Sequence, residues 1–343
     1  MPELREVFEL VTVQIEPDLD SWTEQERRHR RTSRNRRLGA FALVAMLGLL
    51  AAVFAVRLLS DDPANKPAVE IPPEVPPVET APGMYAVDLT TGEDTFIRGV
   101  PASPADASPD GSMIAFGRDA GGSSQIFVAA PDGTQVRQVT HDPVEATDAG
   151  WSPDGGEIAY VGFGKSGTDR SIFVIDVATG RSRQLTFETG DAANPAWSPD
   201  GTEILYRIGD TSADSVLRLV DVSTGEVTQL TDVGEAAADG AWSPDGSTIA
   251  FALDVVSGGL DDSHGIVLMD ADGGNRRVLV PDVPSWGPAW SPDGARIAYF
   301  AEDEGACCNS YVIDVATGET RPVASGGLFP IWLDDQHLII TLR

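Results

Sequence analysis

The chain has 343 residues, 53 of them acidic and 24 basic, for a formal net charge of −29. From Ser60 onward 45 acidic residues face 15 basic ones, and such a surface repels nucleic acid and anionic lipid headgroups, which excludes both as partners of that part. The two cysteines, Cys307 and Cys308, are neighbours, so no disulfide can tie distant parts of this chain together.

Leu4, Val7, Phe8 and Val11 recur at the i, i+3, i+4, i+7 spacing of an amphipathic helix. Pro17 interrupts it, and Ser21-Trp22-Thr23-Glu24 reads as a capping box that starts a second helix. An isolated helix this short is marginal in water. The stripe, with Trp22, therefore predicts a docking surface for a cytosolic protein; a disordered tail whose arginines only set topology is the alternative reading.

Leu38 to Leu59 is an apolar run broken only by Arg57. At about 1.5 Å per helical residue it is long enough for a hydrocarbon core of about 30 Å. Seven arginines lie between Arg27 and Arg37, whereas Asp61-Asp62 opens the far side. The positive-inside rule then places residues 1–37 in the cytoplasm and residues 60–343 outside, on a single-pass membrane protein. Ser60 to Pro82 holds seven prolines, a composition for an extended stalk rather than a core.

From residue 83 the chain repeats itself. Ala107-Ser108-Pro109-Asp110-Gly111 is followed by Trp-Ser-Pro-Asp-Gly from Trp151, Trp197, Trp242 and Trp290, then by the degenerate Trp332-Leu333-Asp334-Asp335-Gln336. The aspartates of these copies are 44, 46, 45, 48 and 42 residues apart, a period that signals a propeller of four-stranded blades. After each turn comes a short apolar run such as Ile158 to Tyr160 or Ile249 to Phe251. A second phrase, strand then Asp then Thr-Gly, alternates with the first, as in Ile172 to Asp176 with Thr179-Gly180. Each unit thus supplies strands A to D, and the tryptophans, read as the start of strand A, become wedges between blades. Ala107 replaces one wedge, so its blade is expected to pack less tightly.

The two ends are complementary. Met84 to Asp88 with Thr91-Gly92 is a C-D hairpin without an A-B partner, and Trp332 to Arg343 is an A-B hairpin without a C-D partner. The fold class expected is therefore all-β: a six-bladed propeller over residues 83–343, its last blade assembled from both ends so that no sheet edge is left open.

Pro, Asp and Gly in the repeated turns are explained by turn chemistry, since Pro presets the first angle, Asp bonds its own backbone and Gly accepts φ > 0. No Gly-x-Ser-x-Gly, His-Glu-x-x-His or cysteine-histidine cluster is present, which leaves nucleophilic and zinc catalysis without a constellation. Function is more apt to sit on the variable B-C and D-A loops. The D-A loops lead into the innermost strands, and the residue three before each wedge is expected at the channel mouth: Pro104, Asp148, Asn194, Asp239, Gly287 and Phe329. Asp148, Asn194 and Asp239 offer oxygen ligands to a hard cation such as calcium, or to a basic side chain. Trp286, an extra tryptophan in one of these loops, suits either packing or contact with a partner. Cys307 and Cys308 are expected in the B-C loop of the fifth blade.

The phrases Trp-Ser-Pro-Asp-Gly-x-x-Ile-Ala-Tyr and Ile-x-Val-Ile-Asp-x-x-Thr-Gly resemble the WD-like propeller repeats of the TolB family from Gly83 to Arg343. The resemblance implies the propeller fold and a choice of roles: protein-binding scaffold, gating domain, or occasionally enzyme. The reading adopted is a membrane-anchored, extracytoplasmic scaffold that binds a protein, peptide or envelope ligand. One alternative is a transmembrane regulator resembling anti-sigma factors, its tail holding a cytosolic partner; another is a metal-dependent hydrolase or lactonase acting in the channel.

Overall fold

A computed structural model describes residues 83–98, 100, 105–141, 145–164, 167–209, 214–253, 265–281, 283–303 and 306–342. The expected tail helices, membrane span and stalk, with Leu4, Val7, Phe8, Val11 and Trp22, lie outside the described residues, as does Pro104. Among the described residues no helix is long and apolar enough to cross a membrane.

The first two strands, β1 (Gly83–Asp88) and β2 (Asp94–Ile97), form a hairpin that waits for the far end of the chain. Blade 1 follows as β3 (Ala105–Ala107), β4 (Ile114–Asp119), β5 (Ser124–Ala129) and β6 (Arg137–Gln138). Blade 2 is β7 (Ala146–Trp151), β8 (Glu157–Phe163), β9 (Arg170–Asp176) and β10 (Ser182–Gln184). Blade 3 is β11 (Ala192–Trp197), β12 (Glu203–Ile208), β13 (Val216–Asp221) and β14 (Val227–Gln229). Blade 4 comprises β15 (Ala237–Trp242), β16 (Thr248–Leu253), β17 (Gly265–Asp270) and β18 (Arg277–Val280), and blade 5 comprises β19 (Ser285–Trp290), β20 (Arg296–Asp303), β21 (Ala306–Asp314) and β22 (Thr320–Ser325). The chain ends in β23 (Gly327–Trp332) and β24 (His337–Leu342).

The sixth sheet has the order β2-β1-β24-β23, so both ends of the described chain share one blade. β1 and β24 are antiparallel and in register from Gly83↔Leu342 to Asp88↔His337. The closure expected from the two orphan hairpins is thus present. First strands lie beside one another from β3 through β23, and β23 returns to β3.

The core lies between blades. Ile204 and Tyr206 of β12 face blade 2, where they meet Ala159, Ile172 and Val174. Leu205, between them, faces blade 4 and meets Ile249 and Phe251. Both faces of the second strand are therefore dry, and the apolar runs there are continuous because each sheet is sandwiched between two others.

Two details correct the sequence reading. Each tryptophan ends its blade's first strand rather than starting it, as Trp151 ends β7 and Trp242 ends β15. Cys307 and Cys308 sit within β21 rather than in a loop, because β20 and β21 run on until only residues 304–305 separate them.

The turns do more than reverse the chain. In blade 2, Asp154 Oδ1 accepts the Ser152 hydroxyl at 2.7 Å and the Gly156 N–H at 2.9 Å, and the same contacts recur at Asp200 and Asp245. The turn glycine also rests on the turn proline of the preceding blade: a Cβ on Gly201 would lie 3.3 Å from Pro153, and one on Gly294 3.7 Å from Pro244.

Candidate functional site

The positions three residues before the wedges lie inside the first strands rather than in the loops before them. Asp148, Asn194, Asp239, Gly287 and Phe329 all have positive φ, between 48° and 58°. Each opens a bulge. In β7 pairing passes from Thr147↔Val161 to Gly150↔Ala159, so that residues 148 and 149 together oppose Tyr160. The same two-against-one arrangement sets residues 194–195 against Tyr206, 239–240 against Phe251, 287–288 against Tyr299 and 329–330 against Ile340. A left-handed residue at a bulge suits Gly, Asp and Asn, and strains Phe329.

The bulges are tied to one another across blades. The Gly287 N–H donates to Asp239 Oδ2 at 3.2 Å, and the Asn194 N–H reaches Asp148 Oδ2 at a long 3.5 Å. Burial pushes both carboxyls above the usual carboxylate range, an effect opposed by those backbone donors, by the charge of Arg170 and then Arg207 at Asp148, and by that of Arg207 at Asp239, while Glu145 adds to it at Asp148. Asp148 in turn raises Asp239. Asp148, Asp239 and Arg207 therefore share one electrostatic environment across blades 2 to 4. Both aspartates keep some surface open toward solvent, yet protein surrounds them closely enough for desolvation to dominate.

On the neighbouring blades the lining is aromatic. Trp286, half-buried in β19, stacks on Phe300 with ring centroids 5.8 Å apart, and Phe300 meets Phe329 edge-on at 5.1 Å. Leu328 and Cys308 complete this cluster. Cys308 is buried with φ 59°. Gly287 is required twice over, by its φ of 58° and because a Cβ there would lie 2.7 Å from the Phe300 ring. Trp286 is thus a strand residue that packs, while part of its surface stays open.

The structure therefore joins Asp148, Asn194 and Asp239 in an acidic arc and Trp286 and Phe329 in an aromatic one, adjacent at the Asp239–Gly287 contact. Among the described residues no group of three or more His, Cys, Asp or Glu side chains could hold a metal ion. Arg207 already supplies positive charge beside the two aspartates.

Sequence reasoning missed Arg207, Phe300 and Asp106. Arg207 had a signal: it follows Ile204-Leu205-Tyr206, where the other blades have apolar residues such as Val161, Ala252 and Phe300. Asp106 precedes the missing wedge and is half-buried, with Oδ2 accepting the Trp151 N–H at 2.7 Å and Oδ1 the Ala107 N–H at 2.9 Å. Burial pushes its carboxyl up to about 6 against those two donors.

No protein of curated function matches the chain. By fold it is similar to the structure of a putative TolB from Agrobacterium tumefaciens, with 18% identity over 77% of this chain and 100% of that one and a TM-score of 0.63. It is also similar to TolB from Acinetobacter baumannii, with 18% identity over 74% of this chain and 67% of that one and a TM-score of 0.59. The TolB beta propeller domain family matches residues 78–255, more than half of the 343, so the chain belongs to that family.

Proposed function

We propose that this protein is a membrane-anchored, extracytoplasmic binding scaffold whose propeller takes a basic peptide segment of an envelope partner at the mouth formed by the bulged first strands. The observation that supports this reading is the adjacency of the two arcs. Asp148 and Asp239 each retain carboxylate lone pairs beyond their backbone bond, and Trp286 and Phe329, both partly open, belong to the aromatic cluster that meets Asp239 through Gly287. A Lys or Arg side chain is recognised by that combination, through charge on one side and an aromatic face on the other. A left-handed Phe329 is strain of the kind that collects at binding sites.

The test is photo-crosslinking of the full-length chain in its native envelope. A photoreactive phenylalanine analogue would replace Phe329 in one version and Thr134, in the C-D turn of blade 1, in another. One discrete adduct from position 329, absent from position 134 and lost in Asp148→Asn with Asp239→Asn, is expected. Equal adducts from both positions, or none from either, would count against the proposal.

A further inference from the structure

Each blade ends in an outermost fourth strand, and a strand edge left bare is a template for another extended chain. Among the described residues, five of the six outer strands carry a device against such pairing. β2 has Asp94, β6 has Arg137 and β10 has Arg183. β18 has Arg277 and a bulge, and β22 has Arg321, Pro322 and a bulge. β14, Val227-Thr228-Gln229, has no charge, no proline and an unbroken register with β13, and all three of its residues are exposed. The Leu230 N–H, just past the strand, donates inward to Leu217 O at 2.9 Å. Antiparallel pairing alternates along the chain, so Thr228 also faces β13, while Val227 and Gln229 turn their backbone N–H and C=O groups outward.

Apolar side chains flank this edge on both sides. Four of the six large hydrophobic residues exposed among the described residues are Phe187, Val227, Val233 and Val278. Val227 pairs with Val220, which packs against blade 2 in one cluster with Leu185, and Phe187 lies two residues beyond Leu185. Glu188, next to Phe187, accepts from Arg218 Nη1 at 2.7 Å, and Arg218 Nη2 reaches Gln229 Oε1 at 3.2 Å. On the blade 4 side Val278 pairs with Val267, which packs with Leu219 and Leu230, and Val233 follows Leu230 by three residues. Side chains of a strand added to β14 would point alternately to these two sides.

Charge narrows the occupant. Arg218 is taken by Glu188 and Arg276 by Glu235, whereas Glu226 and Asp232, exposed at the two ends of β14, have no ion pair among the described residues. The edge is thus apolar in the middle and negative at both ends. A second copy of so acidic a chain would be repelled, and a proline-rich segment lacks the N–H groups that a ladder needs. We infer that β14 accepts an added strand from a partner protein, an extended segment with alternating apolar side chains and Lys or Arg at both ends. This rim site is separate from the candidate mouth and does not rest on the mouth reading.

The test is a fluorescence-polarisation titration of the full-length chain, in detergent, with a labelled Lys-Val-Thr-Val-Thr-Val-Lys peptide, joined to hydrogen exchange read by mass spectrometry. Binding is expected, with exchange slowed over residues 226–230, and the same peptide N-methylated throughout should do neither. Val227→Pro removes one outward donor at an exposed edge position, where proline is tolerated, and should raise Kd about tenfold. Ser182→Pro, the matching change on β10, should leave Kd unchanged. Glu226→Gln with Asp232→Asn should weaken binding and flatten its dependence on salt. No binding, binding indifferent to Val227→Pro, equal binding of the N-methylated peptide, or self-association of the chain that Val227→Pro abolishes would overturn the inference.

Discussion

Arg321 Nη1 donates to the carbonyl of Leu89, 232 residues away in sequence, at 3.1 Å. The contact joins blade 5 to the strand pair supplied by the start of the described chain, so the ring is held at its closing blade by side chains as well as by the β1–β24 ladder. Arg321 itself is exposed, and Arg321→Ala should cost only about 0.5–1.5 kcal/mol. Ile339, fully buried beside Ile114 and Phe116, is different: Ile339→Ala should cost about 2–5 kcal/mol. Urea denaturation of both variants measures the difference, and equal midpoints would refute it.

Asp106 should make stability fall as pH rises. Its folded-state pKa, about 6, lies above the ordinary carboxylate value, so its contribution is fully present below about pH 4 and is lost as pH climbs through 6. Asp106→Asn cannot ionise, and its stability penalty relative to the native chain should shrink between pH 4 and pH 7.5. Chemical denaturation at the two pH values decides this, and a penalty that does not change with pH would contradict it.

The turn aspartates act in the opposite sense. Asp110 is held down to about 2, first by the Ser108 hydroxyl and then by the hydroxyl and N–H of Ser112. Its contribution is present above the ordinary carboxylate pKa and is lost as pH falls through 2. Asp110→Ala should therefore lower Tm at pH 7 while narrowing the gap to the native chain at pH 2.5, as followed by thermal circular dichroism.

Asn194 is exposed and left-handed, with φ 52°. Asn194→Gly should leave Tm unchanged or slightly raised, whereas Asn194→Val should cost about 1–2 kcal/mol from backbone strain alone. Similar losses for the two substitutions would show that the side chain, rather than φ, matters there.

Gly240, the second residue of its bulge, has no room for a methyl group, since a Cβ would lie 2.5 Å from Leu205 Cδ2. Gly240→Ala should destabilise by about 1–3 kcal/mol through overpacking of the seam between blades 3 and 4. Leu205→Val in the same chain should recover part of that loss, and a double variant weaker than the sum of the single changes would argue against the clash.

The fold was legible because the repeat is written in local chemistry. Ser-Pro-Asp-Gly specifies a turn, the apolar runs specify strands, and the orphan hairpins at residues 84–92 and 332–343 specify how the ring ends. At the candidate site the spacing from the wedge groups Asp148, Asn194, Asp239 and Phe329, which do share one conformation, yet nothing in those four residues taken singly announces a bulge. Arg207 and Phe300 were hidden because they stand on second strands, where period two alone does not tell which residues lie beside the bulged positions of the first strands. The repeated Gln138-Val139-Thr140, Gln184-Leu185-Thr186 and Gln229-Leu230-Thr231 went unread. Each threonine hydroxyl accepts the N–H of Ile126, Ile172 or Leu217 at 2.9 Å, a role invisible without the strand that it caps.

The pairing of β1 with β24 has a mechanical consequence. Tension arriving from residues ahead of Gly83 would run along β1, parallel to the strand and across its hydrogen bonds on both sides, to β24 and to β2. The six register pairs with β24 would then be loaded together in shear instead of peeling one at a time, so the strand through which the ring would be pulled is an interior strand of its blade, gripped by a neighbour on each side.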